Sequence, residues 1–102
     1  MAYALINKMT TNPGRRQEVI DLMLEAGAPF DDDPACLLYL VSAASDDPDV
    51  IWVQDLWTDE AAHVAAMSTE EMSGYVKQAM PLLTGMPEQI EVQPSGGKYP
   101  AG

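Results

Sequence analysis

Residues 35–57, ACLLYLVSAASDDPDVIWVQDLW, carry the pattern that decides the fold. The first ten of them, 35–44, are almost wholly apolar, which is the composition of a strand covered on both faces. Ser45-Asp46-Asp47-Pro48-Asp49 is a polar turn. Residues 50–57 then alternate with period two. Val50, Trp52, Gln54 and Leu56 take one side; Ile51, Val53, Asp55 and Trp57 take the other. Two such runs joined by so short a turn predict an antiparallel hairpin.

Working toward the N-terminus, residues 2–11 (AYALINKMTT) alternate in the same way. Tyr3, Leu5, Asn7 and Met9 share one face, and Ala4, Ile6, Lys8 and Thr10 the other, so this is a further strand. Asn12-Pro13-Gly14 stops it. Asn caps helices and Pro is tolerated at the first helical position, so a helix is expected from Pro13 to Ala26, with Val19, Leu22, Met23 and Ala26 as its apolar stripe. Gly27 reads as its C-cap, and Pro29 as a bar to continuation. Phe30-Asp31-Asp32-Asp33-Pro34 reads as a solvated turn; its acidic triplet lacks the ligand spacing of a calcium loop.

Toward the C-terminus, Thr58 is placed to cap a short helix, AAHVAAM at 61–67, with Asp59 and Glu60 near its positive end. Ser68-Thr69-Glu70-Glu71 has the form of a capping box. Behind it, Met72, Tyr75, Val76, Ala79, Met80 and Leu83 form the clearest amphipathic series in the chain, ended by Pro81. Residues 88–94 read as a short strand with Ile90 and Val92 inward. The domain then closes at 94, leaving 95–102 as a flexible or partner-contacting tail.

The order strand, helix, strand, strand, helix pair, strand is that of the α+β ferredoxin-like plait: a four-stranded antiparallel sheet with its helices on one face. Ile6, Leu38, Leu40, Trp52 and Leu56 would occupy the other face. A face that apolar is expected to find cover against a second copy, as a homodimer.

Composition narrows the function. The 102 residues suit one domain, and the net charge of −11 with a pI near 4.1 opposes binding to a nucleic-acid backbone or an anionic membrane surface. No apolar run approaches the roughly 18 residues of a membrane span, and the first residues lack the pattern of a signal peptide. With the lone Cys36 unable to form an internal disulfide, a reducing cytoplasm is the expected setting. Seven methionines suggest a soft interior, or a pocket for an apolar ligand. HxxxH, HExxH, CxxC and a Gly-rich phosphate loop are all missing, so neither a metal nor a nucleotide cofactor is expected.

The stretch Val53-Gln54-Asp55-Leu56-Trp57-Thr58-Asp59-Glu60-Ala61 resembles the antibiotic biosynthesis monooxygenase (ABM) family, which typically shows an acidic residue, a spacer, Trp, then acidic residues and Ala. Pro81-Leu82-Leu83, Gly85-Met86-Pro87-Glu88-Gln89 and Gly96-Gly97-Lys98 are similar to its quinol monooxygenase-like branch. The resemblance runs from Tyr3 to Lys98. It implies a dimeric α+β barrel and cofactor-free oxidation of a small electron-rich aromatic, a quinol or hydroxyquinone, by dioxygen. In such chemistry the substrate supplies the electrons. The protein binds the ring in a dry pocket, helps deprotonate it and stabilises the anion.

Five residues are candidates for that work. Asn7 lies on the side of the first strand that faces the pocket in the resemblance, and its amide suits a substrate oxygen or dioxygen. His63, the single histidine, suits proton transfer near neutral pH, although a solvated helix position is the plainer reading. Trp57 matches the family Trp and would wall the pocket or pack beneath the helix. Asp55, on the same face, must be paired or protonated, with Arg15 and Arg16 as the available guanidinium groups. Tyr75 would reach a ligand or fill the core. Asn7 and His63 are thus the catalytic candidates, and Trp57, Asp55 and Tyr75 the substrate-binding ones.

The chain also departs from better-understood members. The Trp and His of haem-degrading relatives fall near Ala66 and Val76, leaving no axial ligand. An Asn of the polyketide-oxidising branch is Val53 here, and no Arg follows Arg16. The departures keep open an alternative, a non-catalytic dimeric small-molecule-binding module, and a weaker isomerase or aldehyde-handling option.

Overall fold

The structure is a computed structural model that describes residues 2–98. Its elements run β1 (Tyr3–Thr10), α1 (Arg16–Gly27), β2 (Cys36–Ala43), β3 (Val50–Trp57), α2 (Glu60–Met67), α3 (Glu70–Ala79) and β4 (Glu88–Val92), with 3₁₀ turns at Ala28–Asp32 and Met80–Leu82. The strands form one antiparallel sheet in the order β2-β3-β1-β4. This is the α+β ferredoxin-like plait expected from the element order.

Register places Leu5 opposite Asp55, Asn7 opposite Val53, Tyr39 opposite Asp55 and Gln89 opposite Asn7. These residues therefore share the helix-facing side. Fully buried Val19 of α1 packs there on Ile51 and Val53, with Met9, Met23, Tyr39 and Val41 around them. The opposite face carries Ile6, Leu38, Leu40, Trp52 and Leu56, as the alternation implies, and also Ile90 and Val92. The expectation that Ile90 and Val92 point inward is corrected. Ile90 pairs with Ile6 and Val92 with Ala4, so both lie on the open face, 57% and 39% exposed.

Helix boundaries differ from expectation where a tertiary partner outbids a local cap. Asn12 does not cap α1, which begins at Arg16 without a side-chain cap. Instead its Nδ2 donates to the Pro81 carbonyl at 3.0 Å, and its Oδ1 accepts from the Thr84 hydroxyl at 2.8 Å, tying the end of β1 to the end of the α3 segment. Arg16 Nη1 donates to the Ala44 and Asp47 carbonyls at 3.0 and 2.7 Å, which clamps the β2–β3 turn against α1. Asp59, not Thr58, caps α2 by accepting from the Ala62 N–H at 2.8 Å. Thr69, not Ser68, caps α3 by accepting from the Met72 N–H at 3.1 Å. The expected solvated turn at 30–34 is a 3₁₀ turn that buries Phe30, and Pro29 opens it as an early-turn proline. β4 ends at Val92 rather than 94, and residues 93–98 follow without helix or strand. Of the expected tail, 99–102 lie outside the described residues.

Gly27 is not the left-handed C-cap expected. Its φ of −87° is ordinary, and the helix passes straight into the 3₁₀ turn. What requires glycine is space, because a Cβ there would clash with the edge of the Tyr39 ring. Gly27→Ala is expected to cost about 1–3 kcal/mol of overpacking, minus up to about 1 kcal/mol of helix propensity. Gly74→Ala on α3, whose Cβ would meet nothing within 4 Å, changes stability in the opposite direction. Thermal melts of the two variants check the sign of each.

Candidate functional site

Asp55 and Trp57 sit two apart on β3, so both side chains leave the same face of the sheet. Trp57 is fully buried, and its indole Nε1–H donates to Asp55 Oδ2 at 2.7 Å. His63 comes from the second turn of α2, bringing Nε2 to 3.7 Å from the same oxygen. Its ring is fixed between Tyr3, with centroids 5.3 Å apart, and Trp57, at 5.8 Å. Phe30 meets the Trp57 ring edge-on at 5.1 Å. The side chain of Asp55 is only 4% exposed and that of His63 15%. The solvated position that a lone helical histidine usually takes is therefore not the one found. Nor do Arg15 and Arg16 reach Asp55: Arg15 pairs with Glu18, and Arg16 is spent on carbonyls.

Two atoms of this cluster are left over. Asp55 Oδ1 and His63 Nδ1 are buried without a hydrogen-bond partner among the described residues. Burial pushes the Asp55 carboxyl above its ordinary range, opposed by the Trp57 hydrogen bond and the neighbouring imidazole. A carboxylate held at this cost is a candidate proton acceptor more than a structural tie.

The cluster opens on a cleft of about 360 Å³ between sheet and helices, lined by Asn7, Met9, Tyr39, Val53, Asp55, His63, Met67, Met72 and Gln89, among others. The volume falls in the lower part of the range for small-molecule pockets. Methionines from β1, α1, α2 and α3 (Met9, Met23, Met67 and Met72) supply adaptable apolar wall. Tyr39 donates its hydroxyl to the Met23 carbonyl at 2.9 Å, and burial together with the Asp55 charge pushes its phenol up to about 12. It is thus a neutral wall, not a base.

Of the five candidate residues, the structure brings Asn7, Asp55 and His63 to one cleft. Trp57 lies beneath them and orients Asp55. Tyr75 lines a separate cleft of about 480 Å³, which shares only Ala26 and Met72 with the first. Sequence reasoning missed Tyr39 and Gln89. The signal for them is the pairing register, which sets Tyr39 beside Asp55 and Gln89 beside Asn7 on the helix-facing side. Among the described residues, no group of three or more His, Cys, Asp or Glu side chains is arranged to hold a metal ion.

The chain is thus an α+β plait with an apolar cleft between sheet and helices, a buried carboxylate–imidazole pair at its base and neutral amides on its wall. Residues 2–78 match the sequence model of the antibiotic biosynthesis monooxygenase family, and the chain belongs to that family. A protein from Chloroflexus aurantiacus J-10-fl, assigned to the same family, is 32% identical, with 96% of this chain and 97% of that chain covered and a TM-score of 0.85. One from Caulobacter crescentus CB15 shares the fold at 17% identity, covering 93% and 91%, with a TM-score of 0.86. So does a variant of SnoaB, a cofactor-independent oxygenase from Streptomyces nogalater, at 17% identity, covering 94% and 95%, with a TM-score of 0.81. No curated protein matches the chain significantly.

Proposed function

We propose that the protein is a monooxygenase that oxidises a small electron-rich aromatic of the quinol or hydroxyquinone type with dioxygen, without a cofactor. The observation that carries this reading is the Asp55 carboxylate on the wall of the apolar cleft, one oxygen held by Trp57 and His63 and the other buried without a partner among the described residues. Family membership and the description of SnoaB support it. Asp55 and His63 act as one proton-accepting unit: the substrate hydroxyl gives its proton to the pair, and the charge left on the ring oxygen raises the ring's electron density. On the neighbouring strand, Asn7 is a diagonal neighbour of Asp55, a separation of roughly 7–8 Å. An amide there meets the oxygen across the ring from the one being deprotonated. The anion passes an electron to dioxygen, and the radicals recombine at a ring carbon. One oxygen atom of dioxygen stays on that carbon. The other leaves as water, carrying the two hydrogens that the quinol loses as it is oxidised. A quinol and dioxygen thus give a hydroxyquinone and water, with every atom and electron supplied by the two reactants.

The working form is a homodimer joined through the open sheet face. Leu40 and Ile90, 46% and 57% exposed, lie on its two edge strands, with Leu38 beside Leu40 on β2 and with Ile6 and Trp52 on the strands between. A face four strands wide, eight residues long on three of them and five on β4, covers roughly 500 Å² per subunit at most. Two of them only just reach the roughly 1,000 Å² that a specific interface needs, so segments flanking the sheet contribute as well.

Oxygen uptake by metal-free protein with a panel of hydroquinones tests the chemistry. Consumption above autoxidation, with one atom of isotopically labelled dioxygen in the product, is the expected result. Ligands that raise Tm while uptake stays flat would instead establish a binding module.

A further inference from the structure

The same cleft carries an electrostatic signature that bears on which aromatics enter it. Among the described residues its only acidic lining group is Asp55, with a side chain 4% exposed and Oδ1 unpartnered. No lysine or arginine lines it among the described residues. Among the described residues His63 is the one basic side chain on its wall, with Nε2 3.7 Å from Asp55 Oδ2; the lysines and arginines are engaged or placed elsewhere. Lys8 lies over the Trp52 ring at 5.8 Å on the opposite face of the sheet. Arg15 is paired with Glu18, and Arg16 holds the hairpin carbonyls. Lys77 is exposed in the last turn of α3, and Lys98 follows β4. Beyond Asp55, His63 and the Tyr39 phenol, the polar wall is the neutral amides of Asn7 and Gln89. An anion placed here would lose its hydration, find no lysine or arginine, and face a carboxylate to which the one neighbouring imidazole is already paired, in a poorly screened site. A neutral hydroxyl escapes that repulsion, and Asp55 is the acidic acceptor on the wall beside it.

We propose, resting on the reading of this cleft as an oxidation site, that it selects uncharged hydroxyl-bearing aromatics and rejects carboxylated or otherwise anionic ones, with Asp55 as the specificity-determining residue. The substrate therefore enters protonated and loses its proton only once bound. Aromatic acids, sulfates and phosphates are excluded as a class. The chemistry that supplies the substrate must leave its ring without an acid group, by decarboxylation or by reduction of a neutral quinone.

The test is anaerobic calorimetry with two probes, 1,4-dihydroxynaphthalene and the same diol bearing a carboxylate on its other ring. The neutral diol is expected to bind at least ten-fold more tightly, and to keep most of that advantage in about 1 M salt, where the field of the whole acidic chain is screened within about 3 Å. Asp55→Asn should reduce the ratio to within about three-fold. Gln89→Lys, at an exposed position on the cleft rim, should turn the preference toward the carboxylate; this second variant leaves the buried cluster untouched. Equal or tighter binding of the carboxylate by the unaltered protein, a ratio unmoved by both variants, or no binding of either diol at millimolar concentration overturns the inference. Tight binding of the neutral diol without any oxygen uptake overturns the oxidation reading and leaves the selectivity standing.

Discussion

Replacing Asp55 by Asn is expected to lower oxygen-dependent turnover by about 10²–10⁴-fold, the usual worth of a positioned general base, while leaving the fold as stable as before or more so. The two effects have one cause. Burial holds the Asp55 carboxyl above its ordinary range, so the folded state takes up its proton more readily than the unfolded chain does. For a group shifted in this direction, stability is greatest below the unfolded pKa and declines as pH rises through the folded pKa. Asn has no charge to bury and still offers the Trp57 indole an acceptor. The stability difference, variant minus parent, should therefore be near zero in acid and grow in favour of the variant as pH rises to neutrality. Melts across that range, run beside oxygen-electrode rates, measure both halves. A variant that loses stability at neutral pH would show that Asp55 is a structural tie. His63→Ala should cost about ten-fold or more in rate, and combining it with Asp55→Asn should cost little beyond Asp55→Asn alone, since residues acting as one unit are not additive.

Placing Asp at both Leu40 and Ile90 is expected to convert a dimer into an 11.1-kDa monomer at micromolar concentration, weakening association by more than about 100-fold. Both side chains are about half exposed in the single subunit, so they contribute little to its own stability, and the variant should keep its circular dichroism. Two-fold pairing would bury four new carboxylates in one interface, with Lys8 among the few cations on that face. Sedimentation equilibrium of the parent and the double variant gives the answer. A parent that is itself monomeric at micromolar concentration would refute assembly through this face.

The structure also shows where local chemistry is outweighed. Asn12, Thr58 and Ser68 are all competent caps, yet none caps the helix beside it. For Asn12 the competing offer comes from Pro81 and Thr84, about 70 residues away in sequence. For Thr58 and Ser68 the next residue serves, a shift of one position that propensity does not distinguish. Gly27 reads as a cap because glycine so often is one. Its actual reason, the Tyr39 ring against the helix, exists only after β2 has docked. Phe30 reads as part of a solvated turn, although its ring is buried against Tyr39 and Trp57, at 5.1 Å from each. One aromatic in a charged run carries no periodicity to announce it.

The candidate site divides along the same line. Period-two alternation is enough to put Asn7 on one strand face and Asp55 with Trp57 on another, because side-chain direction in a strand is a local property of the backbone. Together with helical periodicity it gives the order of elements and the apolar outer face of β1, β2 and β3, but not the side of β4, whose Ile90 and Val92 read as inward and lie outward. The meeting of His63 with Asp55, the handing of Asp55 to Trp57 rather than to an arginine, and the removal of Tyr75 to a neighbouring cleft are decided by tertiary structure alone. Those contacts depend on how far α2 and α3 slide along the sheet as they pack. That displacement is set by the fit of Met, Phe and Trp side chains in the interior, and no local pattern in the chain encodes it.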